Sequence, residues 1–152
     1  MAKRLLTGSK PVSQQPTSYS LDAQVGFILR QVSQRHTAIF AASIGSQLTA
    51  TQWAALSKLA EAGPCSQNQL GRLTAMDVAT IKGVIDRLTA RGLTETGRDP
   101  RDGRRLLVSL TRAGQALVEK VSPNALRVTE ETLAPLTAKE RDVLVALLTK
   151  LR

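Results

Sequence analysis

Residues 77–114 read DVATIKGVIDRLTARGLTETGRDPRDGRRLLVSLTRAG, and this run decides the fold. Its first part has the period of a helix. Ile81, Val84, Ile85 and Leu88 recur at three- and four-residue spacing, Asp77 stands where an N-cap belongs, and Gly92 stands where the helix should stop. The period then changes to that of a strand. Leu93–Thr96 and Leu106–Leu110 are short β-prone stretches on either side of a tip that runs from Arg98 to Arg104. The tip contains Asp99-Pro100 and Asp102-Gly103, both turn formers, so the pattern predicts a β-hairpin.

Upstream, Thr49-Ala50-Thr51-Gln52 is a capping-box pattern that opens a helix with Trp53, Leu56 and Leu59 on one face, ended by Gly63-Pro64. Ser66-Gln67-Asn68-Gln69 repeats the pattern and predicts a short helix through Leu70 and Leu73. Before these, Val25, Ile28, Leu29, Val32, Ile39 and Phe40 predict an amphipathic helix from Leu21 to about Ser46. Downstream, helix resumes after Thr111, with Pro123 expected to kink or restart it near Val121 or Ser122. Thr137-Ala138-Lys139-Glu140 is a third capping box, leading a helix with Val143, Leu144, Leu147, Leu148 and Leu151 on one face. The expected fold is mainly α with a small β-hairpin wing. A winged helix-turn-helix over 48–111 is flanked by a dimerisation helix over 21–47 and C-terminal dimerisation helices over 112–152. Both flanks carry apolar stripes that a module of about 60 residues cannot cover alone, so they need each other or a second copy.

The chain has 152 residues, 21 Lys and Arg against 12 Asp and Glu, and a formal charge of +9. The excess points to a polyanionic partner without naming it. Its placement is sharper than its sum: Arg98, Arg101, Arg104 and Arg105 fall within eight positions on the hairpin. Residues 1–20 hold Lys3, Arg4 and Lys10, no acid and many Ser, Gln, Thr and Pro, the composition of a flexible basic tail. Aromatic residues are 3% of the chain, too few for a base-stacking platform. One cysteine excludes an intramolecular disulfide framework and Cys-rich zinc sites. No apolar run reaches the length of a membrane span and no signal-peptide core follows Met1, so a cytoplasmic protein with no membrane partner is expected.

The run from Asp77 to Leu88, Ala90-Arg91-Gly92-Leu93, the tip Asp99-Pro100-Arg101-Asp102-Gly103-Arg104 and the following Leu107-Val108-Ser109-Leu110-Thr111-Arg112-Ala113-Gly114 together resemble the MarR family of transcriptional regulators. The Asp-x-Arg tip followed by Ser-Leu-Thr-x-x-Gly is the most specific mark. Gly83 and Gly103 depart from it, since family members often carry a larger polar residue and a second Arg there. The resemblance implies a homodimer with an all-helical interface built from both chain ends, each subunit presenting a winged helix to double-stranded DNA. It also implies that small anionic, often aromatic, ligands relieve repression.

On a helical wheel Ala79, Lys82, Gly83 and Asp86 oppose the apolar stripe, with Thr80 and Arg87 flanking. Small and polar groups on that face suit a helix entering a major groove about 12 Å wide. Ala79 can meet a thymine methyl, Thr80 a phosphate, and Lys82 a guanine edge or a phosphate. A mid-helix Gly83 costs about 1 kcal/mol relative to Ala, which close backbone approach would explain. At the wing, Arg104 matches the family's minor-groove Arg and Asp102 its positioning partner, a carboxylate able to hold the guanidinium's rotamer. Arg101 and Arg105 read as phosphate contacts. In the alternative, these are an ordinary solvated face and a charged turn.

His36 lies in the first helix's apolar stripe, in line with Val25, Val32 and Phe40, and Arg35 flanks it. It is either a satisfied interface histidine or, with Arg35 and with Trp53 as an apolar wall, part of a site for a small anionic effector. By family analogy that effector is an aromatic acid or its coenzyme A thioester. Cys65, at a helix start, is read as packing beneath the helix-turn-helix. The single His and single Cys have no plausible third group, and no Gly-rich loop follows a strand, so no catalytic residue, metal or cofactor is expected.

The function expected is a sequence-specific, ligand-released repressor on a pseudo-palindromic operator. The rival is a basic helical module that binds RNA or a protein partner without an operator.

Overall fold

The computed structural model describes residues 18–152; Lys3, Arg4 and Lys10 of the expected tail lie outside the described residues. The element order is α1 (Val25–Ser43), α2 (Ala50–Ala62), α3 (Gln67–Leu73), α4 (Val78–Ala90), β1 (Thr94–Arg98), β2 (Leu106–Leu110), α5 (Arg112–Thr132) and α6 (Ala138–Lys150). Among the described residues no helix is long and apolar enough to cross a membrane.

The helix starts form as side-chain chemistry requires. Thr49 and Gln52 make a reciprocal capping box, as do Thr137 and Glu140. At α3 only half of the expected box forms: Ser66 accepts from the Gln69 amide at 3.2 Å. The first helix begins later than expected. Leu21–Ala23 is a separate 3-10 turn, and Gln24 is extended before α1. Its end comes early because Ile44 and Leu48, each 1% exposed, turn inward to the core.

Between α3 and α4 the chain reverses through Ala75, which sits at φ +53° in the left-handed region. The Met76 amide closes that turn by donating to the Gly71 carbonyl at 2.9 Å. Gly71 fits because a Cβ there would stand 3.1 Å from the Met76 carbonyl and 3.2 Å from Ile81. Leu56 of α2, Leu70 of α3, and Ile81, Val84 and Leu88 of α4 are all within 1% of complete burial and fill the space the three helices enclose.

β1 and β2 pair antiparallel, with Thr94 opposite Leu110 and Arg98 opposite Leu106. β1 starts at Thr94 and runs on to Arg98, past the Thr96 at which the sequence ends it, so the tip lies one residue later than expected, at 99–105. A further link has no local signature. Cys65 exchanges both backbone hydrogen bonds with Val108, at 3.1 and 2.8 Å, and so ties the hairpin to the start of α3.

The restart expected as one outcome at Pro123 does not occur; α5 continues as one helix from Arg112 to Thr132. Proline removes one N–H, whose partner carbonyl would belong to the exposed Glu119, where water can serve it. Val121 and Val128, both buried, hold the two halves of the helix to the same core.

α6 buries no residue of its own. Val143, Leu147, Leu148 and Leu151 are 42–75% exposed, and Val25, Ile28, Leu29 and Val32 of α1 are 44–65% exposed. The first half of the α1 stripe and most of the α6 stripe thus face outward within one chain, whereas Phe40 at the end of the α1 stripe is buried and Leu144 of α6 is half-buried.

Candidate nucleic-acid interface and neighbouring cavity

The outer face of α4 begins at its cap. Asp77 accepts from the Thr80 amide at 2.7 Å and from the Thr80 hydroxyl at 2.9 Å. These bonds, the backbone one first, hold the Asp77 carboxyl below its ordinary value. The Thr80 hydroxyl, expected at a phosphate, here donates to Asp77. A lowered folded value means the cap stabilises fully above the unfolded value of about 3.9 and weakens as pH falls through the folded one. Asp77→Asn keeps a capping oxygen without that charge. Thermal midpoints followed from about pH 5 down to about pH 2 should therefore fall less steeply for Asp77→Asn than for the parent.

Lys82 is paired with Asp86 at 2.6 Å, with both side chains more than half exposed. Ala79 and Arg87 are exposed on the same surface. The Arg87 guanidinium lies across Gly83, where an added Cβ would meet it at 3.5 Å, an ordinary contact. Nothing within the fold therefore requires glycine at 83. Gly83→Ala should stabilise the protein by about 1 kcal/mol, raising the thermal midpoint by about 2–4 °C.

The wing tip is ordered by its own aspartates. Asp99 accepts from the Arg101 amide at 2.8 Å, and Asp102 from the Arg104 amide at 3.1 Å. These are two successive Asx turns. The Arg98 guanidinium donates to the Gly103 carbonyl at 3.0 Å, and the Asp99 amide to the Arg105 carbonyl at 2.9 Å. Asp102 thus holds the backbone of Arg104 and not its guanidinium, unlike the rotamer-holding role expected. Arg101, Arg104 and Arg105 are exposed.

Thr111 joins this hairpin to α5. Its hydroxyl donates to the Gly92 carbonyl at 2.6 Å and accepts from the Gly114 amide at 3.1 Å, while its own amide donates to the Leu93 carbonyl at 3.1 Å. One residue thereby caps α5 and fixes the loop that ends α4.

Arg35 and His36 meet at the C-terminal end of α5, whereas Trp53 lines a cavity whose wall includes neither of them. The Arg35 guanidinium donates to the carbonyls of Glu131, at 2.9 Å, and Thr132, capping the C-terminus of α5. His36 Nδ1 lies 2.9 Å from the Thr132 hydroxyl. That hydroxyl also donates to the Val128 carbonyl at 2.7 Å.

Trp53 instead lines a cavity of about 500 Å³ between α2 and α5, with Ser57 and Glu61 on one side and Val118, Ser122 and Thr129 on the other. The Ser57 Oγ is buried there without a hydrogen-bond partner. Sequence reasoning missed Ser57 and α5's share of this cavity, because their meeting depends on how α5 crosses α2.

Cys65 is buried and burial raises its thiol above the ordinary value, as packing requires and a reactive thiolate does not. Among the described residues no group of three or more His, Cys, Asp or Glu could hold a metal ion.

A model of the MarR family matches residues 46–105, the span from before α2 to the wing. The chain is 40% identical to the HTH-type transcriptional repressor NicR of Pseudomonas putida over 152 residues, 99% of this chain and 95% of NicR. It is similar to the crystal structure of a probable transcriptional regulator from Pseudomonas aeruginosa, with 57% identity, a TM-score of 0.82, and 88% and 100% of the two chains covered. It is also similar to BpsR of Bordetella bronchiseptica, whose DNA binding is regulated by 6-hydroxynicotinic acid, with 44% identity, a TM-score of 0.85, and 88% and 96% covered.

Proposed function

The chain belongs to the MarR family of transcriptional regulators, and from that premise we propose that it is a homodimeric repressor released from its operator by a small anionic aromatic acid. The observation that carries the proposal is the cavity between α2 and α5. α2 is part of the winged helix-turn-helix, whereas α5 runs away from it toward α6 and the exposed apolar stripes. A ligand held between them would favour one spacing of these parts over another, and DNA binding would follow that spacing.

The exposed stripes of α1 and α6 support the dimer. A 13-residue helix that buries nothing is marginal on its own, and a second copy offers the same apolar surface in return. In such a dimer two α4 helices enter successive major grooves of a pseudo-palindromic operator, and the wings reach the flanking minor grooves. Ala79, Lys82 and Arg87 act from α4, and Arg101, Arg104 and Arg105 from the wing, where Asp102 sets the turn. Thr80 serves through its cap. Gly83→Ala, although stabilising, should weaken operator binding, because its Cβ occupies the space where the helix backbone nears the bases.

The cavity suits the ring of such a ligand: Trp53 supplies an apolar wall and Ser57 a hydroxyl that lacks a partner. Its one charged liner, Glu61, is paired with Lys58, so the ligand's carboxylate belongs at the cavity mouth and not against this lining. Regulation of the similar BpsR by 6-hydroxynicotinic acid supports an acid of that kind. Arg35 and His36 act from behind the site. They clamp Glu131 and Thr132 on the helix whose Thr129 lines the cavity, and so tie the ligand's helix to α1.

Trp53 is the one tryptophan of the chain, so its fluorescence reports the cavity directly. Titration with 6-hydroxynicotinate, nicotinate and benzoate, and with coenzyme A thioesters of the benzoates, should find a compound that shifts this emission and releases DNA over the same concentration range. Ser57→Ala should weaken that compound's binding. Release of DNA with no change in Trp53 emission would place the effector elsewhere, and failure of the whole set to bind would overturn the aromatic-acid reading.

A further inference from the structure

The surface of α4 carries an apolar side chain that packing does not use. Val78 is the first residue of the helix and is 67% exposed. An apolar residue near a helix start commonly serves a hydrophobic staple between the residue before the cap and the fourth helical residue. Here those positions are Met76 and Ile81, and both lie against the core. Nor does Val78 serve helix formation, since a β-branched residue is a weaker helix former than the Ala beside it.

The rest of the turn has its polar groups committed. Both Asp77 oxygens and the Thr80 hydroxyl are joined to each other. What the first turn offers outward is therefore an apolar pair, Val78 and the exposed Ala79, ahead of the Lys82 ammonium. On the major-groove edges of the bases the one apolar feature is the C5-methyl of thymine. The N-terminal residues of a recognition helix are those that reach base edges.

We infer that Val78 is a specificity-determining residue, reading a thymine C5-methyl in each half of the operator together with Ala79. The inference rests on the proposed operator binding and adds to it a base and an atom. Val78 supplies two methyl groups where Ala79 supplies one, so the larger share of the contact falls to Val78. Lys82, one turn further on, is left to a hydrogen-bonding edge or a phosphate.

The test starts from an operator selected by the full-length protein out of a random-sequence duplex pool. Each thymine of that operator is then replaced in turn by deoxyuridine, which removes the methyl and nothing else. The parent should lose about fourfold in affinity at one thymine of each half-site, as expected for exposing one methyl-sized group. Val78→Ala, which removes an exposed side chain and favours helix, should fold as the parent does. It should bind the thymine duplex more weakly and lose clearly less than the parent, about twofold or under, when the methyl is removed at that same position, the remainder being the contact of Ala79. Uridine tolerated at every position by the parent, or a penalty of equal size in Val78→Ala, overturns the inference and leaves operator binding standing. A pool that yields no consensus overturns operator binding itself, and the inference with it.

Discussion

Arg104→Ala is expected to weaken operator binding by about 1–3 kcal/mol and to flatten its dependence on salt by about one unit of log slope. Arg112→Ala should do much less. The difference follows from how each residue is held. Arg112 is the first residue of α5, exposed and beyond the hairpin. Arg104 sits at a tip that is fixed before DNA arrives: Asp102 holds its amide, Asp99 holds the amide of Arg101, and Arg98 holds the Gly103 carbonyl. Little backbone freedom is lost when such a tip enters a narrow minor groove, so the attraction of the guanidinium to that groove is retained as affinity. Because Asp102 acts on the backbone, Asp102→Asn should preserve the turn and keep operator affinity close to that of the parent, since asparagine forms the same Asx turn. A rotamer-holding carboxylate would require a large loss. Titrations of parent, Arg104→Ala, Arg112→Ala and Asp102→Asn at several salt concentrations check all of this; equal losses at 104 and 112 would count against the wing's role.

Gly114→Ala should produce the largest loss of stability among single-methyl additions. A Cβ at 114 would stand 2.0 Å from the Leu93 carbonyl oxygen and 3.0 Å from its carbon. Those are backbone atoms, and that carbonyl already accepts from the Thr111 amide, so neither side can give way without breaking the joint between wing and α5. Overpacking of a fixed site costs about 1–3 kcal/mol, and a backbone clash of this size belongs at the upper end. The thermal midpoint should fall by about 6–12 °C for a chain of this length. DNA binding measured well below that midpoint should weaken too, because the displaced joint carries the hairpin. A variant with an unchanged midpoint would show that α5 does not pack on Leu93 as described.

Legibility in the sequence followed the range of the interactions. The caps at Thr49, Asp77 and Thr137 are satisfied within three residues, and each was readable as a short pattern. The α4 stripe was readable because one core takes all its members. The Thr111-to-Gly114 motif was readable as a family mark, whereas its reason was not: it lies in the Leu93 carbonyl, about twenty residues earlier in the chain. The Cys65–Val108 bridge and the cavity between α2 and α5 depend likewise on partners far away in sequence. Pro123 does not end the helix, because the buried valines on either side of it hold both halves to one core. Arg35 and His36 are legible as polar groups on and beside an apolar stripe, but the α5 C-terminal carbonyls and the Thr132 hydroxyl that engage them carry no sequence signature.

The central claim is that this winged helix reads a specific duplex. Its most direct test is competition for the full-length protein between the selected operator, bulk duplex DNA and RNA at physiological salt. The expected result is a pseudo-palindromic operator with half-site centres about one helical turn apart, displaced by bulk duplex or RNA only at about 10³-fold excess or more. Displacement by RNA or bulk duplex at concentrations similar to the operator's own would contradict it, and would favour a basic module without an operator.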